Sequence, residues 1–413
     1  MLLARPPRAR TSAARPTTAP LFLLLFLLLP SVALRAQVQL GIDTLRASGF
    51  AAVTGKKIGL VTNQTSTDAS GERDRVILRQ ARGVNLTTLF TPEHGLEGTE
   101  PAGQYVPSRK DPVTGLPAFS LYGSTRKPTP GMLRGLDALV FDLQDVGCRS
   151  YTYLSTMAKC MEACGENNVE FVVLDRPNPL GGNRVEGPGV EPQWISFVGQ
   201  FPVPYVHGLT AGELAKMINA RGWTAAKCRL TVVPMRGWRR GMTWGDTGLR
   251  WIKSSPNIPR GNSPAYYVAT GIVGNLTGLD LGIGTPTPFE RVAAGYLNAE
   301  GFAAGLRALD LPGVQVTPYR GSGGGGATLR IDPDAGANLT ALNVYIASAL
   351  YRSGGTRLFA RPKADPDQIL YKVYGSRSFQ TAIEGGASPE SIVNGWRAGV
   401  ERFRGERQAF LMY

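Results

Sequence analysis

The stretch VNLTTLFTPEHGLEG, residues 84–98, joins a short apolar run to a polar string. Residues 84–90 predict a strand, and Pro92-Glu93-His94-Gly95 follows where that strand would end. Neighbouring side chains on a strand point to opposite faces, so Glu93 and His94 can share one site only on a loop beyond it. The alternative is that His94 hydrogen-bonds its own loop and Glu93 is a solvated acid.

The same pattern of short apolar runs and helical stretches extends over residues 57–233. Strands are predicted at 57–62, 84–90, 117–122, 138–143, 169–174 and 229–233. Helices are predicted at 151–167 and after Thr210, which with Glu213 matches a capping box. Strands that are almost wholly apolar and alternate with helices predict an α/β fold with a doubly wound, mostly parallel sheet covered on both faces.

The pattern changes after about residue 262. Helices are predicted at 289–309 and 338–351, and a last one begins at the N-cap Ser388, with Ile392, Trp396, Val400 and Phe403 as its core stripe. The glycine run 321–326 lies between two β-type segments, lacks the lysine of a phosphate loop and predicts a flexible turn. We therefore expect residues 37–262 to form the main α/β domain and residues 263–413 a smaller α+β domain.

The first 36 residues have the layout of a secretory signal peptide. Four arginines precede the apolar run 21–29, and small residues follow it at 31–33. The run is shorter than the roughly 20 residues that span a bilayer, and no cysteine follows it as a lipid anchor. We expect an exported, soluble protein, periplasmic or extracellular, with no stable membrane insertion after cleavage.

Charge and cysteine content narrow the classes of partner. The formal charge of +14 falls to about +9 without the five arginines of the leader, which still favours anionic surroundings. Lys and Arg are scattered, with no aromatic-interleaved stripe, so nucleic acid is not expected. The four cysteines form no Cys-x-x-Cys pair and no cluster with histidine, so we expect no metal site and small buried thiols.

Polar strings follow four of the predicted strands. They are residues 62–65, 92–95, 142–147 and 175–182. In an open parallel sheet, ligands bind beyond the carboxyl ends of the strands, so these strings predict one shared crevice. No Gly-x-Gly-x-x-Gly, Walker or Gly-x-Ser-x-Gly sequence occurs, which disfavours a nucleotide cofactor and a serine hydrolase. Acids, amides and arginines without a metal cluster suit a carbohydrate site, where two carboxylates flank the glycosidic bond.

The candidate catalytic carboxylates lie in or near these four polar strings. They are Glu93, Glu97, Asp142, Asp145, Asp175 and Glu186. Asp175 precedes Arg176 and is interpreted as its ion-pair partner. His207 is either a second imidazole of the crevice or a structural histidine.

Taken in order, these strings resemble one family, the exo-β-N-acetylmuramidases of the NamZ type (glycoside hydrolase family 171). The matching segments are GLVTNQT (59–65), TPEHGLEG (91–98), DPVTGLPAFSLYG (111–123), LVFDLQDVGCRSYTYLSTM (139–157), FVVLDRPNPLGGNRVEGP (171–188), HGLTAGELA (207–215), SSPNIP (254–259) and GIGTPTPFE (282–290). The resemblance implies a Rossmann-like catalytic domain, a smaller C-terminal domain that completes the cleft, and no cofactor. It also implies release of terminal N-acetylmuramic acid from the non-reducing ends of peptidoglycan fragments.

The resemblance assigns site residues one by one. Glu93 becomes the catalytic acid and His94 the residue that positions it. The matching positions expected to line the pocket are Asn63, Asp142, Asp145, Arg149, Arg176, Asn178, Glu186 and His207. Because a guanidinium can bind a carboxylate through two parallel hydrogen bonds, Arg149 and Arg176 are the candidates for the lactyl carboxylate of muramic acid.

Two positions depart from the family pattern. Asn275-Leu276-Thr277-Gly278 replaces a Glu-Gly-Thr-Asn string, and Ile283 stands where the family has an arginine. The second catalytic group therefore stays open between a carboxylate and the acetamido group of the substrate. The alternative function is a periplasmic muropeptide-binding or sugar-binding protein without turnover. An esterase or amidase is disfavoured because no serine or cysteine has an activating context.

Overall fold

The computed structural model describes residues 1–4, 6–10, 12–13, 37–321, 323–332, 334–355, 358–360 and 368–413. The apolar run on which the predicted leader depends lies outside these residues. The described residues from 37 onward form one compact unit. Its first half contains α1 (Gly41–Ala47), β1 (Lys57–Val61), α2 (Asp74–Gln80), β2 (Asn85–Thr91), β3 (Arg109–Lys110), β4 (Pro117–Ser120), α3 (Pro130–Leu133), β5 (Ala138–Phe141), α4 (Tyr153–Glu166), β6 (Glu170–Leu174), α5 (Ala211–Arg221) and β7 (Arg229–Val233).

The second half is mostly helical around a small sheet. Its elements are α6 (Ser263–Thr270), β8 (Arg291–Ala294), α7 (Ala299–Arg307), β9 (Val314–Gly321), β10 (Gly324–Ile331), α8 (Leu339–Arg352), α9 (Ile369–Tyr374), α10 (Ser378–Glu384), α11 (Pro389–Asn394) and α12 (Arg397–Glu406). The sheet is antiparallel, in the order β8-β10-β9. The smaller α+β part expected from the sequence is therefore confirmed.

The main sheet has seven strands in the order β3-β4-β2-β1-β5-β6-β7. Every neighbouring pair is parallel except β3–β4. The chain extends the sheet from β1 towards β4 and later from β5 towards β7, so the strand order reverses between β1 and β5. The predicted doubly wound α/β fold is confirmed, and ligands of such sheets bind near the reversal.

Alternate residues of the central strands enter two different cores. In β5, Leu139 and Phe141 join the larger core with α4 and α5, whereas Ala138 and Val140 join the smaller one with α1 and α2. The period-2 geometry of a strand explains how one apolar run supplies both faces. The larger core continues into helix α8 of the second half, so both halves share buried surface.

Several local predictions in the second half need correction. The helix predicted at 289–309 is the strand β8 followed by α7, and the expected flexible turn at 321–326 is partly strand β10. A Cβ on Gly326 would lie 2.1 Å from the carbonyl oxygen of Val292, so glycine is needed there for strand pairing. The N-cap Ser388 is confirmed, but the last helix is interrupted near Gly395 into α11 and α12.

Two further predictions, on the start of α5 and on the cysteines, are confirmed. Thr210 and Glu213 form the capping box that begins α5, and all four cysteines are buried free thiols. Among the described residues, no helix combines the length and the apolar character needed to cross a bilayer.

Candidate active site

A cavity of about 690 Å³ lies among the loop after β2, the start of α4 and the segments on both sides of α6. This volume is in the usual range of small-molecule sites, roughly 300–1,000 Å³. Residues from both halves of the chain contribute to it. Its polar lining includes Glu93, His94, Tyr122, Ser150, Tyr151, Thr152, Ser255, Asn257, Tyr267, Asn275 and Asp280.

Glu93 is fixed at both carboxylate oxygens. Its Oε1 accepts a hydrogen bond from the backbone N–H of Gly103 at 2.7 Å. Its Oε2 accepts one from the hydroxyl of Thr152 at 2.6 Å. Because Thr152 directly precedes α4, the start of that helix holds the carboxylate at the cavity wall. Glu93 is 8 % exposed, so it meets the cavity with little access to bulk solvent.

Tyr122 is a third polar neighbour of Glu93. Its hydroxyl lies near the Glu93 carboxylate and near the guanidinium of Arg126. Burial and the nearby Glu93 carboxylate raise the pKa of Tyr122, although Arg126 acts in the opposite direction. The phenol therefore keeps its proton at neutral pH and can donate to Glu93.

His94 adopts a left-handed backbone conformation, with φ of 69°. Gly95 follows with φ of 73°, and this pair of residues produces the sharp turn after β2. The Nδ1 of His94 lies 2.7 Å from the carbonyl oxygen of Glu100. Since a carbonyl only accepts, Nδ1 carries the hydrogen, and the ring is oriented with its other side towards the cavity it lines.

The opposite wall is aromatic and comes largely from the second half of the chain. Tyr267 makes edge contacts with Tyr151 at 6.2 Å and with Phe289 at 5.1 Å between ring centroids. The hydroxyl of Tyr267 also lies 2.9 Å from the hydroxyl of Ser150. Aromatic faces with a few fixed hydroxyls suit a ligand that is apolar on its ring face and polar at its edge, as a sugar is.

Asp280 is a second carboxylate of the same cavity. It accepts hydrogen bonds from Arg291 Nε at 2.9 Å and from the Gly282 N–H at 2.8 Å. Burial acts to raise the pKa of Asp280, but these two hydrogen bonds outweigh it and hold the pKa below its usual range. Asp280 is therefore ionised at neutral pH. Asp280 is not among the site residues expected from the sequence.

The two arginines predicted for the lactyl carboxylate lie elsewhere. Arg149 is buried, and its guanidinium donates to the backbone carbonyls of Pro188, Val203, Val373 and Tyr374. Arg176 pairs with Asp142 and donates to the Thr67 carbonyl. Neither lines the large cavity. Both side chains are held by partners in the protein, so the structure places them in the scaffold rather than on the wall of the large cavity.

The strings after β1 and β5 lead to a different place. Thr65, Gln144 and Arg176 line a separate cavity of about 270 Å³ near the reversal of strand order. Asn63 donates to the Tyr153 hydroxyl and accepts from Thr65. The expected convergence of all four strings on one crevice is therefore corrected, because of these strings only residues 92–95 contribute to the large cavity.

Asp142 and Asp145 are both buried in the scaffold. Burial raises the pKa of Asp142, against the effect of its ion pair with Arg176. Asp145 accepts from the Gly147 N–H at 2.7 Å, and burial raises its pKa to about 7. Neither carboxylate lines the large cavity, so the structure gives neither a direct approach to a ligand bound beside Glu93.

Glu186, Asn178 and His207 also have structural partners. Glu186 pairs with Arg184 and accepts from the Thr340 N–H, which joins the two halves of the chain. Asn178 donates to the Leu209 carbonyl. His207 accepts at Nδ1 from the Leu209 N–H, and burial lowers its pKa to about 3, so its ring is neutral.

The interpretation of Asp175 is corrected in the same way. Its carboxylate accepts from Thr210, Gly212 and Tyr413, whereas the side chain of Arg176 turns to Asp142. Asp175 therefore fixes the start of α5.

Thr152 and Tyr122 were not predicted as site residues, although both lie in segments that match the family, residues 139–157 and 111–123. Only the packing of α4 and the end of β4 against the loop after β2 makes them partners of Glu93. Among the described residues, no group of three or more His, Cys, Asp or Glu side chains could hold a metal ion.

Comparison with known proteins agrees with this architecture. The family description "Exo-beta-N-acetylmuramidase NamZ, N-terminal" matches residues 58–262, and its C-terminal counterpart matches residues 265–413. The chain is 38 % identical over 390 residues to the peptidoglycan β-N-acetylmuramidase NamZ of Bacillus subtilis, with 92 % of each protein covered.

Two solved structures of DUF1343 family proteins from Bacteroides fragilis are also similar. One has a TM-score of 0.85 and 40 % identity, covering 92 % of this chain and all of the other. The second has a TM-score of 0.71 and 27 % identity, covering 92 % and 99 %. The similarity extends over both halves, and the chain belongs to the NamZ family of exo-β-N-acetylmuramidases, which are glycoside hydrolases.

Proposed function

We propose that this protein is an exported exo-β-N-acetylmuramidase that releases N-acetylmuramic acid from the non-reducing ends of peptidoglycan fragments. The observation that carries the proposal is Glu93, a carboxyl group fixed at both oxygens on the wall of a sugar-sized cavity. The B. subtilis relative named as a peptidoglycan β-N-acetylmuramidase supports the substrate class.

In this proposal Glu93 donates a proton to the glycosidic oxygen as the bond to the sugar breaks. The hydroxyls of Thr152 and Tyr122 can each turn to accept from a protonated carboxyl or to donate to the carboxylate. The Gly103 N–H donates in both states. After proton transfer the new negative charge therefore has the Gly103 N–H and the Thr152 hydroxyl in place as donors, with the Tyr122 hydroxyl nearby, and the backbone need not move.

The partner of Glu93 in the reaction is a carboxylate or the substrate itself. Asp280 lies in the cavity and is ionised, so it can orient a water or face the positive charge that develops on the sugar. A distance of roughly 5–5.5 Å between the two carboxyl groups in the substrate complex fits retention, and roughly 6.5–9.5 Å fits inversion. The acetamido group of the substrate is the alternative nucleophile.

Export is proposed from the sequence of the first 36 residues. We expect cells that make the full chain to accumulate a protein that begins near residue 37 outside the cytoplasm. Mass spectrometry of the mature N-terminus, with fractionation of the cells, tests this expectation. An uncleaved chain in the cytoplasm would contradict it.

The hydrolase is tested with the disaccharide N-acetylmuramyl-β-1,4-N-acetylglucosamine. Purified protein is expected to release both sugars, measured by chromatography. An oligosaccharide that ends in N-acetylglucosamine at its non-reducing end is the control and should resist cleavage. Saturable binding of the disaccharide in calorimetry, with no product after long incubation, would favour a sugar-binding protein instead.

A further inference from the structure

Arg126 lies beside the large cavity and is held against two aromatic rings. Its Cζ is 3.5 Å from the ring centroid of Tyr122 and 4.6 Å from that of Phe197. Tyr122 lines the cavity, as does Val198, which follows Phe197. Stacking on rings restricts the long side chain without using its N–H donors. The guanidinium is therefore positioned at the rim before any ligand arrives.

The charges around the cavity make this guanidinium unusual. The described residues that line the cavity include the acids Glu93 and Asp280 but neither lysine nor arginine. Asp280 already has Arg291 as its partner. Arg126 is exposed, and no acid in the described part of the chain forms an ion pair with it. It is thus a cation next to the site whose charge is not neutralised by the protein.

The sugar in the proposed reaction carries a negative charge of its own. N-Acetylmuramic acid differs from N-acetylglucosamine by a lactyl ether that ends in a carboxylate. Beside the ionised Asp280, and beside Glu93 once it has given up its proton, that carboxylate would be repelled unless a cation faced it. We propose that Arg126 binds the lactyl carboxylate of N-acetylmuramic acid and sets the preference for muramic acid over glucosamine. This inference rests on the proposed function for its ligand.

A purely structural function of Arg126 predicts something different. Arg126 also stacks on the ring of Tyr122, whose hydroxyl lies near the Glu93 carboxylate. If Arg126 only positioned Tyr122, its loss would weaken the binding or slow the hydrolysis of every sugar equally. If it binds the lactyl carboxylate, its loss affects only ligands that carry that group. The two functions are therefore separated by comparing two sugars.

The experiment measures binding of N-acetylmuramic acid and N-acetylglucosamine by calorimetry to wild type, Arg126→Gln and Arg126→Lys. Arg126→Gln is expected to weaken the binding of N-acetylmuramic acid about 10- to 100-fold, the usual effect of losing a charge-assisted hydrogen bond. The affinity for N-acetylglucosamine should stay unchanged. Arg126→Lys should fall between, because it keeps the charge without the planar fork. Arg134→Gln, at another exposed arginine, is the matched control and should bind both sugars as wild type does.

Two outcomes overturn the proposal: Arg126→Gln binds N-acetylmuramic acid as wild type does, or it weakens both sugars equally. A further measurement needs no variant. Wild type should bind the lactyl methyl ester of N-acetylmuramic acid about 10-fold or more weakly than the free acid, and equal affinities also overturn it. Binding that depends on Arg126 without hydrolysis would refute the proposed enzyme only. Hydrolysis without that dependence would refute only the assignment of Arg126.

Discussion

Glu93→Gln tests proton transfer with little change to the structure. The two oxygens of Glu93 accept from Gly103 and from Thr152 at 2.7 and 2.6 Å. A glutamine keeps one oxygen for the Gly103 N–H and turns its amide nitrogen to the Thr152 hydroxyl, which can rotate to accept. Both hydrogen bonds can thus persist, so we expect the free energy of unfolding to change by less than about 1 kcal/mol.

The expected loss in rate is much larger than any loss in stability. A positioned general acid contributes typically about 10²- to 10⁴-fold, which corresponds to roughly 3–5 kcal/mol of activation free energy. Because the amide has no proton to give, kcat should fall by this factor while KM changes little. Glu93→Ala is a poorer test, since it leaves the Gly103 N–H unpaired, at a cost of about 1–3 kcal/mol in stability.

The assay follows N-acetylmuramic acid released from the disaccharide N-acetylmuramyl-β-1,4-N-acetylglucosamine. Thermal unfolding of both proteins verifies that the variant is folded, and calorimetry verifies that it still binds the disaccharide. Glu97→Gln is the matched control, because Glu97 lies in the same string but pairs with Arg73 and Arg75 outside the cavity. A folded Glu93→Gln protein whose kcat stays within about threefold of wild type would refute the assignment of Glu93 as the acid.

Two further predictions concern buried charges of the scaffold. The folded-state pKa of Asp145, about 7, lies above the unfolded value of about 3.9, so stability falls as pH rises between them, by at most about 4 kcal/mol. Asp145→Asn should remove this loss of stability with rising pH and raise Tm above that of wild type at pH 8. A difference in Tm between the two proteins that does not change with pH would contradict this prediction. Arg149→Met leaves four backbone carbonyls without their donor, and should lower the urea-derived free energy of unfolding by at least about 3 kcal/mol. Two of these carbonyls lie in each half of the chain, so an unchanged urea midpoint would show that Arg149 does not stabilise the contact between the halves.

Local sequence determined most of the first half of the fold. Apolar runs such as residues 138–141 predicted strands correctly because their side chains are buried on both faces of a parallel sheet. Thr210 and Glu213 predicted the start of α5 because capping depends on residues only three apart. In the second half, residues 289–309 were predicted as one helix, since their composition did not reveal that β8 pairs with β10, which is distant in sequence.

The candidate site likewise has a part that the sequence predicted and a part that it did not. The sequence by itself determined that Glu93 and His94 lie together beyond a strand, because the proline, the glycine and the end of the apolar run are local features. Only the tertiary structure decided that Thr152, Tyr122 and Asp280 share their cavity, while Arg149 and Arg176 do not. Proximity across tens or hundreds of residues depends on how helices and loops pack, and a polar side chain can serve a ligand only where that packing places it on the wall of a cavity.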